Sequence, residues 1–220
     1  MMTPSMNTYW NSRYADGRIW GDNATPSVKM ASDWFWKYQV NEVLVPGCGY
    51  GRNSMWLAKQ GFQVTAFDVS DVAIQLATEL AFQQGINVNY LVEDLFEPAL
   101  FNGMQFDGIY LSNVLHLFLA GDRQRLMDRM DAMLKPGGML ALTCISIYDQ
   151  NNYGIGREVE ANTFEKHEGK PLHFYSEDEL LQLFEENDEL LTHMLHMQTE
   201  SDPSGEFEDL QLWFAVGKKR

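Results

Sequence analysis

Short apolar runs alternate with stretches of helical periodicity through most of the chain. Apolar runs bounded by glycine, proline and polar turn residues predict buried strands, and apolar residues three and four positions apart predict amphipathic helices. The predicted strands cover residues 41–46, 63–69, 88–93, 106–112 and 139–146, and the predicted helices cover residues 26–38, 52–60, 71–84 and 121–134. This alternation is typical of a parallel sheet with helices on both faces.

The C-terminal part of the chain follows a different pattern. Residues 147–175 show no clear periodicity, and we expect a long loop there, which in compact domains is usually a lid or a binding loop. Ser176 and Glu179 form a capping box, which predicts a helix reaching to about residue 186. Strands are predicted at residues 190–198 and 207–216, and the turn residues at 201–205 between them indicate a hairpin.

Together these elements predict an α/β fold. The sheet is expected to be doubly wound, Rossmann-like and mostly parallel, with seven strands and a C-terminal antiparallel β-hairpin. The chain has 220 residues, of which 45% are hydrophobic, and this suits a packed core of substantial size. No internal boundary is visible, so residues 1–220 are predicted to form a single domain.

Net charge and cysteine content limit the classes of binding partner and the cellular location that can be expected. The formal net charge of −15 disfavours nucleic acid and anionic membrane surfaces, because both require a basic protein face. The two cysteines fall inside predicted core elements, which indicates reduced thiols and a cytoplasmic location. We expect no membrane span and no signal peptide, since the necessary apolar runs are missing.

A glycine-rich turn follows the first predicted strand. Gly47, Gly49 and Gly51 alternate there, Cys48 lies between the first two, and a helix begins at Arg52. Glycine lets a ligand approach the main chain, and a helix start offers free N–H groups, so this turn suits the polar part of a nucleotide-like ligand. The dinucleotide pattern would need glycine at position 52, and the Walker pattern is absent. A plain strand-to-helix turn is the alternative.

Acidic residues follow the next two predicted strands. Asp68 ends the second strand, where its carboxylate can accept hydrogen bonds from both ribose hydroxyls, and Val69 beside it is assigned to the same site. Asp94 follows the third strand, where it can accept from an adenine amino group while Leu95 packs on the ring. The alternatives are a helix-capping role for Asp68 and a solvated loop position for Asp94.

The fourth predicted strand also ends on polar residues. Ser112 and Asn113 are expected to meet the far end of the same ligand, because parallel strands place ligands at their carboxyl ends. His116 follows closely and is a weak candidate for a base, with a structural histidine as the alternative.

The order and spacing of these motifs resemble class I S-adenosylmethionine-dependent methyltransferases over nearly the whole chain. The sequence Leu-Lys-Pro-Gly-Gly at residues 134–138 is another frequent feature of that family. More narrowly, residues 48–54 and 212–219 are similar to tellurite-resistance methyltransferases, and residues 9–14 are similar to thiol/halide and thiopurine methyltransferases. Most class I enzymes carry an acidic residue where this chain has Pro46, but the thiol/halide group shares the proline.

The resemblance implies a cofactor, S-adenosylmethionine, and a small-molecule methyl acceptor. It also implies that residues 1–40 cover the cofactor, with Trp10 and Trp20 as aromatic faces for the sulfonium and Tyr9 and Tyr14 as further candidates. Packing of these rings onto the sheet is the alternative. Residues 147–175 are then the expected substrate lid.

The chemistry expected is an in-line displacement onto a thiol, chalcogen or halide species, which needs little base. Tyr148 and His173, both in the lid, join His116 as weak catalytic candidates, and no metal ligands are proposed. Cys48 is expected to pack and not to act as a nucleophile. Two other functions stay open at this point: an NAD(P)-dependent oxidoreductase, and a non-catalytic cofactor-binding protein with a methyltransferase fold.

Overall fold

The structure is a computed structural model that describes residues 6–96, 101, 103–185, 188–201 and 207–220. The helices are α1 (Met6–Tyr14), α2 (Pro26–Lys37), α3 (Arg52–Lys59), α4 (Asp71–Gln83), α5 (Ala120–Met133) and α6 (Glu177–Gln182), with a 3-10 turn at Leu115–Leu117. The strands are β1 (Glu42–Pro46), β2 (Gln63–Asp68), β3 (Asn89–Val92), β4 (Phe106–Ser112), β5 (Leu134–Ile145), β6 (Arg157–Glu160), β7 (Thr163–His167), β8 (Lys170–His173), β9 (Asp188–Ser201) and β10 (Phe207–Lys219).

A seven-stranded sheet forms the centre of the fold, in the order β3-β2-β1-β4-β5-β10-β9. Strands β1 to β5 run parallel, and β10 is antiparallel to both of its neighbours. The predicted α/β class and the mostly parallel sheet with a C-terminal hairpin are therefore confirmed. The strand order reverses between β1 and β4, and the carboxyl ends of these two strands open the crevice where such sheets bind ligands.

The sheet is buried on both faces, which explains the continuous apolar runs of its strands. Along β1, Val43 and Val45 point to one core cluster, while Leu44 between them points to the other. Helix α2 covers the first face with residues such as Phe35, and α5 covers the second with residues such as Leu126. Both cores hold the strand ends rigidly, so the residues that follow them are placed by the sheet.

Helix α1 was not predicted, because its sequence has no apolar stripe. It is held by polar contacts instead. The Asn7 side chain donates to the carbonyl of Val69 over 2.7 Å, and Asn11 donates to Asp71 and accepts from the Ser70 hydroxyl over 2.6 Å. These contacts fix α1 to the end of β2 and to the start of α4.

The expectation of a long loop at residues 147–175 is wrong, because strands β6, β7 and β8 form a small antiparallel sheet there. Two register shifts, between Glu158 and Glu160 and between Glu165 and His167, interrupt the alternation of the strands. Such bulges remove the two-residue period by which a strand is recognised in a sequence.

Other boundaries differ by a few residues. Helix α6 carries the predicted capping box but ends at Gln182, and both hairpin strands are longer than predicted. Of the predicted turn at 201–205, residues 202–205 lie outside the described residues. In the described part of the chain, no helix has the length and apolarity needed to cross a membrane.

Candidate active site

A cleft of about 340 Å³ lies at the carboxyl ends of β1, β2 and β4. Nearly all residues predicted to bind the cofactor line it: Trp10, Trp20, Gly47, Cys48, Gly49, Asp68, Val69, Asp94, Leu95, Ser112 and Asn113. Gly51 does not line the cleft, since it sits behind the turn as the N-cap of α3, with a φ of 83°. The fold thus brings together residues that are up to 103 positions apart, from Trp10 to Asn113.

The floor of the cleft is the glycine turn. Gly47 and Gly49 have φ angles of 62° and 54°, in the left-handed region that favours glycine. A Cβ atom on Gly47 would lie 2.6 Å from Val114 Cγ2, and one on Gly49 would lie 2.9 Å from the hydroxyl of Tyr14. Side chains are therefore excluded, and the bare main chain is left to face a ligand.

Asp68 is almost fully buried beside this turn, with 7% of its surface exposed. Its carboxylate accepts hydrogen bonds from the amides of Gly49 at 2.9 Å and Ser70 at 3.0 Å. Burial raises the pKa of the Asp68 carboxyl, and these amide contacts oppose that shift. The hydroxyl of Ser70 caps α4 by accepting from Ala73, so the capping role proposed as an alternative for Asp68 belongs to Ser70. Because an ionised carboxylate has about four lone-pair positions, ligand hydroxyls can still bind.

The segment after β3 forms one wall of the cleft. Asp94 accepts a hydrogen bond from the Phe96 amide at 2.8 Å, which shapes a tight turn. Asp94, Leu95 and Phe96 are all half-buried and line the cleft. Phe96 was missed by the sequence analysis. Apolar side chains next to a carboxylate suit a flat ring that carries an amino group.

Thr143 on β5 fixes the exit of β4. Its hydroxyl donates to Asn113 Oδ1 at 2.9 Å, accepts from the Asn113 amide at 3.1 Å and lies 3.0 Å from the Ser112 hydroxyl. These contacts hold Asn113 at a φ of 57°, which is an unusual conformation outside glycine. Thr143 is fully buried and gave no signal in the sequence, since it lies inside a strand.

His116 lines the cleft, but its environment does not suit a base. Its Nδ1 atom accepts a hydrogen bond from the Ile145 amide at 3.1 Å, so the proton of the neutral ring is on Nε2. Burial, with a smaller contribution from the charge of His173, lowers the pKa of His116 to about 3. The ring is thus a neutral hydrogen-bond donor toward the cleft.

Tyr148 and His173 do not line the cleft. Tyr148 is 49% exposed, and its ring packs against Trp213. His173 is buried, and its Nδ1 atom lies 2.9 Å from the Thr163 hydroxyl, where burial lowers its pKa to about 4. Tyr148 therefore packs on β10 of the main sheet, and His173 packs within the small sheet. Cys48 is not suited to be a nucleophile either, because burial and then the charge of Asp68 raise its pKa well above the usual value.

The aromatic residues near the N-terminus cover the cleft. Trp10 and Tyr14 stack with ring centroids 5.9 Å apart, and both line the cleft together with Trp20. Tyr50, which the sequence analysis missed, accepts from the Trp20 amide at 3.0 Å and donates to the carbonyl of Gly21 at 2.7 Å. The glycine turn and the N-terminal segment are therefore fixed to each other.

The C-terminal hairpin closes the opposite side. Glu200 of β9 is 5% exposed and pairs with Arg52 over 2.5 Å, and Arg52 also donates to the carbonyl of Trp20. Among the described residues, the second carboxylate oxygen of Glu200 has no hydrogen-bond partner although it is buried. Glu208 of β10 also lines the cleft and accepts from Asn152 at 2.7 Å. None of these acids was predicted, because their partners are distant in sequence.

The cleft fits S-adenosylmethionine by these observations. Side chains are excluded from the turn at Gly47 and Gly49, Asp68 has free lone pairs for ribose hydroxyls, and apolar walls flank Asp94. The unpaired oxygen of Glu200 would be satisfied by a cationic group such as an ammonium.

Comparisons with known proteins agree with this fit. A family described as methyltransferase domain matches residues 43–138. Ubiquinone biosynthesis O-methyltransferase of Coxiella burnetii is 38% identical over 104 residues, which are 47% of this chain and 43% of that protein. Probable thiol methyltransferase 2 of Arabidopsis thaliana is 34% identical over 128 residues, 56% of this chain and 54% of that protein. The chain spans about half the length of these curated relatives.

A solved structure shows the same fold over the full length. The 1,6-didemethyltoxoflavin-N1-methyltransferase of Burkholderia thailandensis, solved with S-adenosylhomocysteine, superposes with a TM-score of 0.71 at 22% identity and covers 100% of this chain and 91% of its own. The sequence match covers the glycine turn and the strand-end acids, and the structural match covers the remaining elements. Residues 43–138 of the chain therefore match a methyltransferase domain, and the described elements have the fold of a solved methyltransferase.

Proposed function

We propose that this protein transfers a methyl group from S-adenosylmethionine to a small-molecule acceptor. The observation that carries the proposal is the cleft itself, in which the glycine turn, Asp68 and Asp94 lie at adjoining strand ends. When bound, S-adenosylmethionine supplies an electrophilic methyl group on a sulfonium. The acceptor's nucleophilic atom must then lie in line with that methyl group, and positioning provides most of the acceleration in such reactions.

Each part of the cleft has a role in this proposal. Asp68 accepts from the ribose hydroxyls, Asp94 accepts from the adenine amino group, and Leu95 with Phe96 packs on the ring. Asn113, held by Thr143, faces the methionine end. The two tryptophans of the N-terminal cover present aromatic faces, which stabilise cations by about 0.5–2 kcal/mol.

The placement of the histidines favours an acceptor that is already ionised. His116 is held as a neutral donor, and His173 lies outside the cleft, so neither is placed to remove a proton. A thiol with a pKa of about 8.5, or a halide or chalcogen anion, needs little help in losing one. The similarity to a probable thiol methyltransferase supports the same class. A hydroxyl acceptor would depend on a base of another type, such as Glu208.

Residues 1–40 and 147–175 are proposed to select the acceptor, as a cover and as a lid respectively. Lys170 of β8 lies 3.6 Å from the ring centroid of Tyr9 in α1, so the two segments already touch. Residues of both segments line the cleft, among them Trp10 and Asn152. The proposed lid keeps the bounds 147–175, but these residues form the small sheet of β6, β7 and β8 and not an open loop.

Calorimetry with S-adenosylhomocysteine tests the cofactor part of the proposal. The Asp68→Asn change leaves one acceptor oxygen where two amides and a ligand compete, so affinity should fall roughly 10- to 100-fold. The Asp33→Asn variant, exposed on α2, is the matched control and should bind like the parent. Absence of binding by the parent, or equal binding by Asp68→Asn, would refute the proposal.

Turnover separates an enzyme from a non-catalytic binding protein. Release of S-adenosylhomocysteine is measured with S-adenosylmethionine and a panel of small thiols, halides, amines and carboxylates. An enzyme shows acceptor-dependent release that Asp68→Asn reduces. Tight binding without release for any acceptor class would favour the non-catalytic alternative.

A further inference from the structure

A second cavity, of about 320 Å³, lies between helix α1 and the small sheet of β7 and β8. It adjoins the cleft, because five residues line both spaces: Met6, Trp10, Leu117, Asn152 and Leu172. A molecule in the second cavity can therefore project an atom into the cleft.

The charge of this cavity is opposite to that of the protein. The chain has 31 acidic and 16 basic residues, yet Arg13, Lys166 and Lys170 line the cavity. Among the described residues, no aspartate or glutamate is part of its lining. The neighbouring Glu165 is on the same strand as Lys166, but it pairs with Arg157 at 2.8 Å. The cavity is thus a locally positive site in a strongly negative molecule.

The cations are not neutralised by ion pairs with other described residues. Lys170 lies over the ring of Tyr9 at 3.6 Å and is half-buried, which lowers its pKa. Arg13 lies 5.4 Å from the ring centroid of Trp20, and its buried Nε atom has no hydrogen-bond partner in the described part of the chain. A buried donor without a partner is costly, so a bound acceptor group would stabilise it.

The remaining lining is largely apolar and includes four aromatic rings. Phe164 and Phe174 have ring centroids 6.0 Å apart, and Tyr9 and Trp10 face them from α1. Aromatic walls with a few convergent polar groups suit a small molecule with a flat or apolar body. Together with the three cations, they suit an organic anion.

We propose that the second cavity binds the methyl acceptor, and that this acceptor is a small organic anion with an apolar body. Its anionic group contacts Arg13, Lys166 and Lys170, and its nucleophilic atom reaches the cleft past Trp10 and Leu172. This inference rests on the proposed methyl transfer. A bond forms between that atom and the methyl carbon, the bond from this carbon to sulfur breaks, and any proton on the nucleophile leaves to solvent.

The test uses two probes that differ only in charge, a mercaptobenzoate and the corresponding mercaptobenzamide. Their binding to the protein saturated with S-adenosylhomocysteine is measured by calorimetry. We expect the carboxylate to bind about ten-fold more tightly than the amide or better, since hydrogen bonds to charged groups are the strong ones. Raising the salt concentration should reduce this preference.

Substitutions of the lining cations test whether the preference for the carboxylate arises in the second cavity. In Lys166→Gln/Lys170→Gln, the preference for the carboxylate should fall at least ten-fold, while affinity for S-adenosylhomocysteine and the melting temperature stay near those of the parent. Lys59→Gln, an exposed change at the end of α3, is the matched control and should keep the preference. Arg13→Gln tests the third cation separately, and it should also reduce the preference for the carboxylate, by less than the double lysine change does.

The outcomes distinguish this inference from the proposed function. Equal binding of the two probes, no binding of either, or an equal preference in the double lysine variant and the parent would overturn the inference alone, provided that S-adenosylhomocysteine binds. Failure of S-adenosylhomocysteine to bind would instead overturn the proposed function. A second readout is kcat/KM for the two thiols, in which the carboxylate should again be favoured by about ten-fold.

Discussion

The free energy of unfolding should depend on pH because His116 stays neutral in the folded protein. The ring is 7% exposed, and its Nδ1 atom is occupied by the amide of Ile145. Protonation would place a hydrogen where this amide donates, and it would also bury a charge. Both effects favour the neutral ring, which agrees with a pKa lowered to about 3.

The size of the effect follows from linkage. A histidine in the unfolded chain has a pKa of about 6.5, so at pH 5 the unfolded state binds a proton that folded His116 does not. Because this proton stabilises the unfolded state, the free energy of unfolding is about 2 kcal/mol lower at pH 5 than at pH 8 on account of His116. This stability is fully present above about pH 6.5 and is lost as the pH falls from there toward 3.

Urea unfolding at pH 8 and pH 5 is the assay. The difference in unfolding free energy between the two pH values should be smaller in His116→Gln than in the parent by about 2 kcal/mol, because glutamine does not titrate. Leu117→Ala is the control, since it perturbs the same segment and removes no titrating group. If His116→Gln and the parent lose the same stability between the two pH values, the reasoning about His116 is wrong.

Three further changes test other parts of the site. Gly47→Ala combines a left-handed φ with a Cβ contact of 2.6 Å to Val114, so the free energy of unfolding in urea should fall by about 2–5 kcal/mol and be partly recovered by Val114→Ala. An unchanged stability of Gly47→Ala would contradict the exclusion of side chains from the glycine turn. Glu200→Leu leaves Arg52 buried and unpaired and should cost about 3–5 kcal/mol in the same assay, whereas Arg52→Met/Glu200→Leu should cost less, and a double variant no more stable than the single one would argue against the pair. Tyr148→Phe should leave kcat and KM within about two-fold, since this half-exposed side chain lies outside the cleft, and a larger loss would restore it as a catalytic candidate.

The sheet and the strand-end residues of the cleft were predictable from sequence because their determinants are local. A strand such as 43–45 is buried on both faces, so it reads as an apolar run, and the glycines after it follow from the turn itself. Asp68 and Asp94 could be assigned to one cleft because parallel strands place their carboxyl ends side by side. The Ser176 capping box was also visible, since both of its partners lie within four residues.

The other parts of the cleft were not predictable in the same way. Helix α1 depends on polar contacts with α4, which its own sequence does not indicate. The strands of the small sheet lack a regular two-residue period because register shifts interrupt them. Glu200 approaches Arg52 across 148 positions of sequence, and no local pattern indicates such a contact. His116 was placed near the cleft correctly, but its role as a donor depends on the amide of Ile145, which only the register of the sheet determines.

The contact between Arg52 and Glu200 has a consequence for the order in which the site can form during synthesis. By the time α5 has left the ribosome, the glycine turn, Asp68 and Asp94 have all been made. Glu200 and Glu208 come later, and they reach the cleft only when β10 has paired with β5. A nascent chain thus contains the glycine turn and both strand-end acids before the hairpin of β9 and β10 adds its residues to the cleft. Ligand binding and pairing of the hairpin with β5 are therefore expected to be coupled.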